Sequence, residues 1–131
     1  LRDLRGVIAV GASVTDKGLT ELAKLEQLET LHLIDTQCTD AGLDRLRTLG
    51  ELVHLRLEGD ANGRCFTDAG LRSLSNCGNL QQLVLYGKGF TNSAVEHLRR
   101  FPKLEYVAAF DVLMTQVGMN KLKDVTVRLD K

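Results

Sequence analysis

The sequence predicts an α/β solenoid, a fold in which short coils of one strand and one helix stack side by side. The first observation behind this prediction is a pentapeptide, Thr-Asp-Ala-Gly-Leu, found at positions 39–43 and again at 67–71. The second is that related pentapeptides begin elsewhere, so that the starts are 15, 39, 67, 91 and 115. The steps of 24, 28, 24 and 24 residues define a period of 24 with one insertion of four. A constant period of this length is typical of repeat architectures.

The first half of each repeat predicts a helix. Its Thr is a good N-cap, because the side-chain oxygen can accept a hydrogen bond from a free backbone N–H of the first turn. The Asp that follows suits the positive end of the helix dipole. In the first repeat Leu19, Leu22 and Leu25 then follow at a spacing of three, which suits one face of a helix.

A glycine recurs inside these helices, although Gly costs about 1 kcal/mol relative to Ala in an exposed helix interior. The positions are Gly18, Gly42, Gly70 and Gly118. We predict that a larger side chain there would collide with the neighbouring coil. Ala94 stands at the equivalent position of the fourth repeat, which indicates a requirement for small size and not for a special backbone angle.

The second half of each repeat predicts a short strand. Leu31 and Leu33 show the period of two that a strand requires. The equivalent pairs are Val7 and Ala9, Leu55 and Leu57, Leu83 and Leu85, and Val107 and Ala109. Val125, Val127 and Leu129 predict a last strand after a shortened turn, which suggests a C-terminal cap. One such unit cannot bury its apolar face, so we expect a parallel ladder of strands inside a curved stack and helices outside it.

Composition excludes several classes of partner. The chain has 131 residues, with 17 Lys plus Arg and 17 Asp plus Glu, so its net charge is zero. A nucleic-acid-binding protein usually carries a basic excess, and no apolar run is as long as a bilayer span. We therefore expect neither nucleic acid nor membrane as a partner. We interpret 1–131 as one domain of about five to six coils and, because it begins at Leu1, as part of a longer chain.

The three cysteines predict no disulfide framework. Their number is odd and their spacing irregular, and neither a C-x-x-C pair nor a zinc-site spacing is present. Cys38 and Cys77 fall at core positions of the repeat, whereas Cys65 lies in the insertion. Reduced cysteines that act as small apolar residues fit a reducing compartment, and we expect the cytoplasm.

The run TDAGLDRLRTLGELVHLRLEGD at 39–60 carries a family resemblance. It resembles the leucine-rich repeats, in particular the helix-bearing type of ribonuclease inhibitor and the 24-residue repeats of bacterial proteins, including planctomycete ones. The resemblance covers essentially the whole chain. One departure is that the usual Asn after the strand is absent, and Thr36 and its surroundings stand in its place. It implies a right-handed solenoid with parallel strands on the concave face and helices on the convex face. It also implies a scaffold for protein–protein interaction without naming the ligand.

Several outward strand positions carry apolar residues where an exposed sheet face should be polar. The outward positions are Ile8 and Val10, His32 and Ile34, Arg56 and Glu58, Val84 and Tyr86, Ala108 and Phe110, and Arg128 and Asp130. Aromatic anchors beside an Arg are typical of protein interfaces. We predict a protein contact centred on Val84, Tyr86, Phe110 and Tyr106, the last just before its strand, with His32, Ile34, Arg56 and Glu58 around it. The β propensity of Val, Ile, Tyr and Phe explains the same residues without a partner, and both explanations stay open.

The insertion GDANGRC at 59–65 is a second candidate for binding. Asn62-Gly63 is a strong turn signal, which places Arg64 near the tip of a protruding loop. Variable loops on a rigid scaffold often carry function. Neutral drift is the alternative explanation.

The sequence predicts no enzyme. The histidines His32, His54 and His97 are dispersed, no Ser stands in the context of a nucleophile elbow, and no phosphate-binding glycine loop or dinucleotide fingerprint occurs. We expect no cofactor and no metal. The alternatives to a binding scaffold are a substrate-recognition part of a multidomain enzyme and a self-assembly module. Self-assembly would use an end coil, since Leu1, Leu4 and Val7 face solvent if nothing precedes them.

Overall fold

The computed structural model describes residues 3–59 and 66–130. In these ranges strands and helices alternate along the chain, as the repeat predicts. In order, they are β1 (Gly6–Val10), α1 (Asp16–Leu22), β2 (Thr30–Ile34), α2 (Asp40–Arg45), β3 (His54–Glu58), α3 (Asp68–Ser73), β4 (Gln82–Tyr86), α4 (Ala94–Leu98), β5 (Tyr106–Phe110), α5 (Gln116–Met119) and β6 (Thr126–Asp130). Short 3-10 turns continue α2 through Leu46–Thr48 and α3 through Leu74–Asn76. None of the helices in the described ranges combines the length and the apolarity needed to cross a bilayer.

The strands form one parallel sheet in chain order, from β1 to β6. Each residue pairs with its equivalent in the next repeat, so that Leu31 lies beside Leu55 and Leu33 beside Leu57. This register confirms the predicted ladder and the α/β solenoid. It also follows from the leucines, because a slip of one residue would turn every one of them out of the core.

The core lies between the sheet and the helices. The inward strand residues of β2, β3 and β4 are at most 2% exposed, and so are the helix leucines Leu43 and Leu71. Burying a side chain of this size stabilises the fold by about 2 kcal/mol, which a lone coil could not obtain. Cys38 and Cys77 are fully buried, as predicted. Cys65 lies outside the described residues.

The Asp of the repeated motif joins neighbouring coils, in addition to standing in the first turn of its helix. Asp16 Oδ1 accepts from the backbone N–H of Thr39 at 2.8 Å, and Asp16 Oδ2 accepts from Thr39 Oγ1 at 2.6 Å. We call this pair of hydrogen bonds the inter-coil clamp. Asp40 makes the same clamp with Thr67. The later repeats continue it through Asp68 with Thr91 and Asn92 with Thr115.

The predicted N-cap role of the Thr is only partly correct. The side chains of Thr67 and Thr115 accept from a backbone N–H of the first helical turn, at 3.3 Å and 3.2 Å. Those of Thr15 and Thr39 make no capping hydrogen bond, so the prediction is wrong there. At Thr39 the hydroxyl instead donates to the carboxylate of Asp16.

The recurring glycine makes room for the clamp. A Cβ built on Gly42 would overlap the carboxylate of Asp16 and lie 2.7 Å from Leu19 Cδ1. Gly70 has the same relation to Asp40 and Leu43, and a Cβ on Gly118 would overlap Asn92. These contacts confirm the predicted collision. The exceptions are Gly18, where a Cβ would meet only Val14 at 3.8 Å, and Ala94, where the helix begins at the alanine itself.

Candidate functional site

The outward side chains of the strands form two rows across the sheet, which we call the concave face. The first row is Ile8, His32, Arg56, Val84, Ala108 and Arg128, and the second is Val10, Ile34, Glu58, Tyr86, Phe110 and Asp130. Each row exists because equivalent residues pair directly in the parallel register. The predicted outward positions therefore lie side by side on one surface.

Two aromatic rings stack on this face, on the neighbouring strands β4 and β5. Tyr86 on β4 pairs in register with Phe110 on β5, and their ring centroids lie 4.5 Å apart at an interplanar angle of 19°. The guanidinium carbon of Arg56 lies 4.9 Å from the centroid of Tyr86. That of Arg128 lies 5.4 Å from the centroid of Phe110. We call Arg56, Tyr86, Phe110 and Arg128 the Arg–aromatic stack, in which each cation–π contact is worth about 0.5–1 kcal/mol.

A carboxylate on its own strand holds each arginine of the stack. Arg56 Nη2 donates to Glu58 Oε2 at 2.8 Å, and Arg128 Nε donates to Asp130 Oδ2 at 2.8 Å. The Arg56 pair is the more enclosed, with side chains 32% and 28% exposed against 62% and 48% for the other pair. The hydrogen bond to Asp130 raises the pKa of Arg128. The charge of each arginine is therefore already paired with a carboxylate before any partner binds.

The other predicted residues surround the stack. Val84 lies beside Arg56 in the first row and is half-buried, whereas its neighbour Ala108 is only 3% exposed. Tyr106 is the first residue of β5 and not, as expected, a residue before the strand. It lies close enough to Arg128 to contribute to the raised pKa of that side chain. The predicted centre is thus one continuous patch.

The N-terminal half of the concave face is more aliphatic. Ile34 pairs with Glu58, and His32 pairs with Arg56. Partial burial lowers the pKa of His32, and the nearby charges of Arg56 and His54 lower it further. Ile8 and Val10 on β1 are 66% and 59% exposed. The face therefore passes from exposed aliphatic residues at β1 to the Arg–aromatic stack at β3 to β6.

The contact residues predicted from sequence omitted Arg128 and Asp130, which complete the stack. A signal for them was present, because Arg-Leu-Glu at 56–58 recurs as Arg-Leu-Asp at 128–130. The recurrence is uninformative without the register, which shows that the two strands enclose the aromatic pair. Arg64 and the rest of the predicted loop at 60–65 lie outside the described residues.

The chemistry of the cysteine and acidic groups gives no support to a catalytic site. Burial raises the pKa of the Cys77 thiol to about 11, so it stays protonated and a poor nucleophile near neutral pH. Within residues 3–59 and 66–130, no three His, Cys, Asp or Glu side chains come together in a way that could hold a metal ion.

Comparison with known proteins shows the fold. No family model matches the chain. The crystal structure of an internalin C2 from Listeria monocytogenes is similar, with a TM-score of 0.71 and 22% sequence identity. The match covers 98% of this chain and 53% of the internalin chain, so the chain spans about half the length of that protein. The fold is that of a leucine-rich-repeat solenoid.

Proposed function

We propose that this protein is a non-catalytic scaffold that binds a protein partner through its concave face. The Arg–aromatic stack is the observation that carries the proposal. Tyr and Arg are enriched among the residues that dominate binding energy, and they cluster near the centre of an interface. Here they lie side by side on four neighbouring strands of one sheet, β3 to β6. The same residues were favoured by β propensity alone, but propensity does not explain why two arginines cover the outer ring faces.

Preorganisation supports this choice of surface. Immobilising a rotamer-rich side chain on binding costs about 0.5–1.5 kcal/mol. Arg56 is already fixed by its contact with Tyr86 and its hydrogen bond to Glu58. Phe110 is fixed between Tyr86 and Arg128. A partner can therefore bind the stack with little further loss of side-chain entropy.

The charge pattern indicates the chemistry of the partner. Because Glu58 and Asp130 neutralise the two arginines, a strongly acidic partner has no advantage at the stack. The exposed part of the stack consists of ring edges and guanidinium groups with paired charges. We expect an apolar or aromatic anchor on the partner, surrounded by polar groups that bond to the carboxylates at the rim.

The remaining parts of the proposal follow from the same residues. The protein needs no cofactor or metal to bind in this way, and its place in a larger protein would be the recognition of a partner or a substrate. The helix in every repeat supports assignment to the helix-bearing, bacterial 24-residue type of leucine-rich repeat. Buried thiols at Cys38 and Cys77 fit a reducing compartment such as the cytoplasm.

The test compares a concave-face variant with a convex-face control. The variant carries Tyr86→Ala and Phe110→Ala, and the control carries Val117→Ala in α5, where the side chain is 76% exposed. Each protein is immobilised and incubated with an extract of the source cells, and captured proteins are quantified by mass spectrometry. We expect one or more proteins to bind the parent and the control but to fall at least tenfold on the double variant. Circular dichroism confirms that all three are folded.

Equal capture by the double variant and the control would refute the proposed face. Self-assembly is the alternative role, and it would use the edge strand β1, where Ile8 and Val10 are exposed. Light scattering over a range of concentrations tests it, since self-assembly requires an oligomer that grows with concentration.

A further inference from the structure

The first coil carries the Thr of an inter-coil clamp, but no Asp or Asn in the described residues bonds to it. Thr15 is the equivalent of Thr39, whose N–H and hydroxyl both donate to Asp16. Within residues 3–59 and 66–130, no carboxylate or carboxamide bonds to the N–H or the hydroxyl of Thr15, and its side chain makes no capping hydrogen bond. The donor positions are thus present without their acceptor.

The space for the acceptor is present too. At Gly42 and Gly70 a Cβ would overlap the Asp of the preceding coil, which explains the glycine. At Gly18 the same construction meets only Val14 Cγ1, at an ordinary contact distance of 3.8 Å. Nothing inside the described chain therefore requires glycine at this position, where Ala would be the better helix former. The requirement is met if an Asp or Asn enters from the open side.

Apolar residues of the first coil are exposed, although their equivalents in the next coil are buried. Leu4 is 39% exposed, while Leu28, its equivalent in the next coil, is fully buried. Leu22 and Leu25 are partly exposed, whereas their equivalents Leu46 and Leu49 are fully buried. Every one of these residues would be covered if a coil lay before the first one.

The backbone offers a matching edge. The carbonyl of Arg5 accepts from the N–H groups of Glu29 at 2.7 Å and Thr30 at 2.9 Å. Arg5 and Gly6 are the equivalents of that donor pair, and they stand at the edge strand β1, which pairs on one side with β2. Their N–H groups face the place of a carbonyl from a preceding coil.

From these observations we propose that the first coil is a docking site for one further coil of the same repeat, joined in cis ahead of Leu1. That coil adds a parallel strand to β1, and its Asp or Asn accepts hydrogen bonds from Thr15 above Gly18. The proposal concerns the end of the solenoid and is independent of the partner proposed for the concave face.

A second copy of this chain is a poorer occupant. Its C-terminal end carries Gln116 where the clamp requires Asp or Asn, and Gln116 Nε2 is bonded to Asn120 Oδ1 at 2.8 Å in its own helix. Stacking β6 on β1 would also bring Arg128 and Asp130 against the aliphatic Ile8 and Val10. The last described coil therefore does not offer the acceptor that the first coil matches.

The experiment supplies the missing coil by duplicating residues 1–24 in front of Leu1. The copied Asp16 then stands 23 residues before Thr15, the separation found between Asp16 and Thr39. We expect a higher urea midpoint for the duplicated chain than for the parent, because the added coil covers the exposed leucines. An unchanged midpoint would overturn the proposal.

A glycine substitution then tests the space above Gly18 directly, because its effect on the folding equilibrium constant should change sign. In the parent, Gly18→Ala should raise the folding equilibrium constant up to about fivefold, since Ala is the better helix former and its Cβ is free of overlap. In the duplicated chain the same substitution should lower the constant at least about fivefold, because the methyl meets the copied Asp16. Gly50→Ala is the matched control, since a Cβ there meets nothing within 4 Å.

Three outcomes decide between the occupants. The sign reversal at Gly18, with an equal effect of Gly50→Ala in both chains, supports the docked coil. Replacing the copied Asp16 by Ala should weaken that reversal. The same effect of Gly18→Ala in parent and duplicated chain overturns the proposal. The proposal is also overturned if light scattering finds the parent to be a dimer and Leu4→Lys dissociates that dimer. In that case a second copy of the chain covers the face.

Discussion

Replacing Asp40 by Ala should destabilise the protein by about 2–3 kcal/mol. The substitution removes two hydrogen bonds of the inter-coil clamp, from Thr67 N at 2.9 Å and from the Thr67 hydroxyl. A hydrogen bond to a charged group contributes about 1.5–3 kcal/mol, and the low end applies here because Thr67 is exposed and water can replace part of the loss. Urea unfolding followed by circular dichroism measures the change.

Asp40→Asn should cost only about 1 kcal/mol. Asn92 shows how a carboxamide forms the clamp: its Oδ1 accepts from Thr115 N at 2.9 Å and its Nδ2 donates to Thr115 Oγ1 at 3.0 Å. An Asn at position 40 would keep the bond from Thr67 N and would donate from its Nδ2 to the Thr67 hydroxyl in place of the second bond, so that the number of hydrogen bonds stays the same and the charge is lost. Asp44→Ala is the matched control in the same helix, because that carboxylate is 53% exposed and lies 3.9 Å from Arg47. Its cost should stay within about 0.5 kcal/mol.

A double-mutant cycle ties the clamp to the glycine. Gly70→Ala should be strongly destabilising in the parent, because the methyl overlaps Asp40. In the Asp40→Ala background it should cost less, although Leu43 Cδ1 still lies 2.7 Å from the new Cβ. The reasoning fails if Asp40→Ala costs no more than Asp44→Ala, or if the costs of Asp40→Ala and Gly70→Ala simply add.

Three further predictions concern other positions. The pKa of His32 is lowered in the folded protein, so the unfolded chain binds more protons and the free energy of unfolding should fall as the pH drops below about 6.5. This pH dependence should weaken in His32→Gln. Urea midpoints at several pH values measure it. Cys77, buried and with its pKa raised to about 11, should resist alkylation by iodoacetamide at neutral pH until urea unfolds the protein, and mass spectrometry of its peptide would show early labelling if this is wrong. Asp35 has a φ of 53° at a strand exit. Asp35→Val should therefore lower the free energy of unfolding by about 1–2 kcal/mol, and Asp35→Gly should lower it far less. Equal melting temperatures for the two variants would contradict that account.

The strands and the buried face could be predicted because both are local patterns. The alternation of Leu31 with Leu33 and its recurrence after 24 residues determine strand, direction and register together. The clamp was not predicted, because a Thr-Asp pair read within one repeat is a cap and a dipole partner. Its meaning emerges only from the distance between repeats, with an Asp or Asn 23 residues before the Thr that it binds, or 27 across the insertion.

The candidate site shows the same division. Val84, Tyr86 and Phe110 were found from their outward positions, since polarity on a strand face is local information. The role of Arg128 depends on which strand lies next to Phe110, and the sequence reveals that only once the register of β6 is known. Geometry also corrected the position of Tyr106, which belongs to its strand because its backbone continues the pairing with Gln82.

The clamp has a consequence for how such a chain can change in length. Each clamp joins an Asp or Asn of one repeat to the Thr of the next, so the two halves of every contact are inherited in different units. Gain or loss of a whole unit by recombination leaves all remaining contacts matched, whereas a break inside the motif separates a donor from its acceptor. Extra residues are tolerated between Asp40 and Thr67, where the clamp still forms across the longer segment. Lineages descending from this sequence should therefore differ by entire repeats or by insertions at that point of the coil.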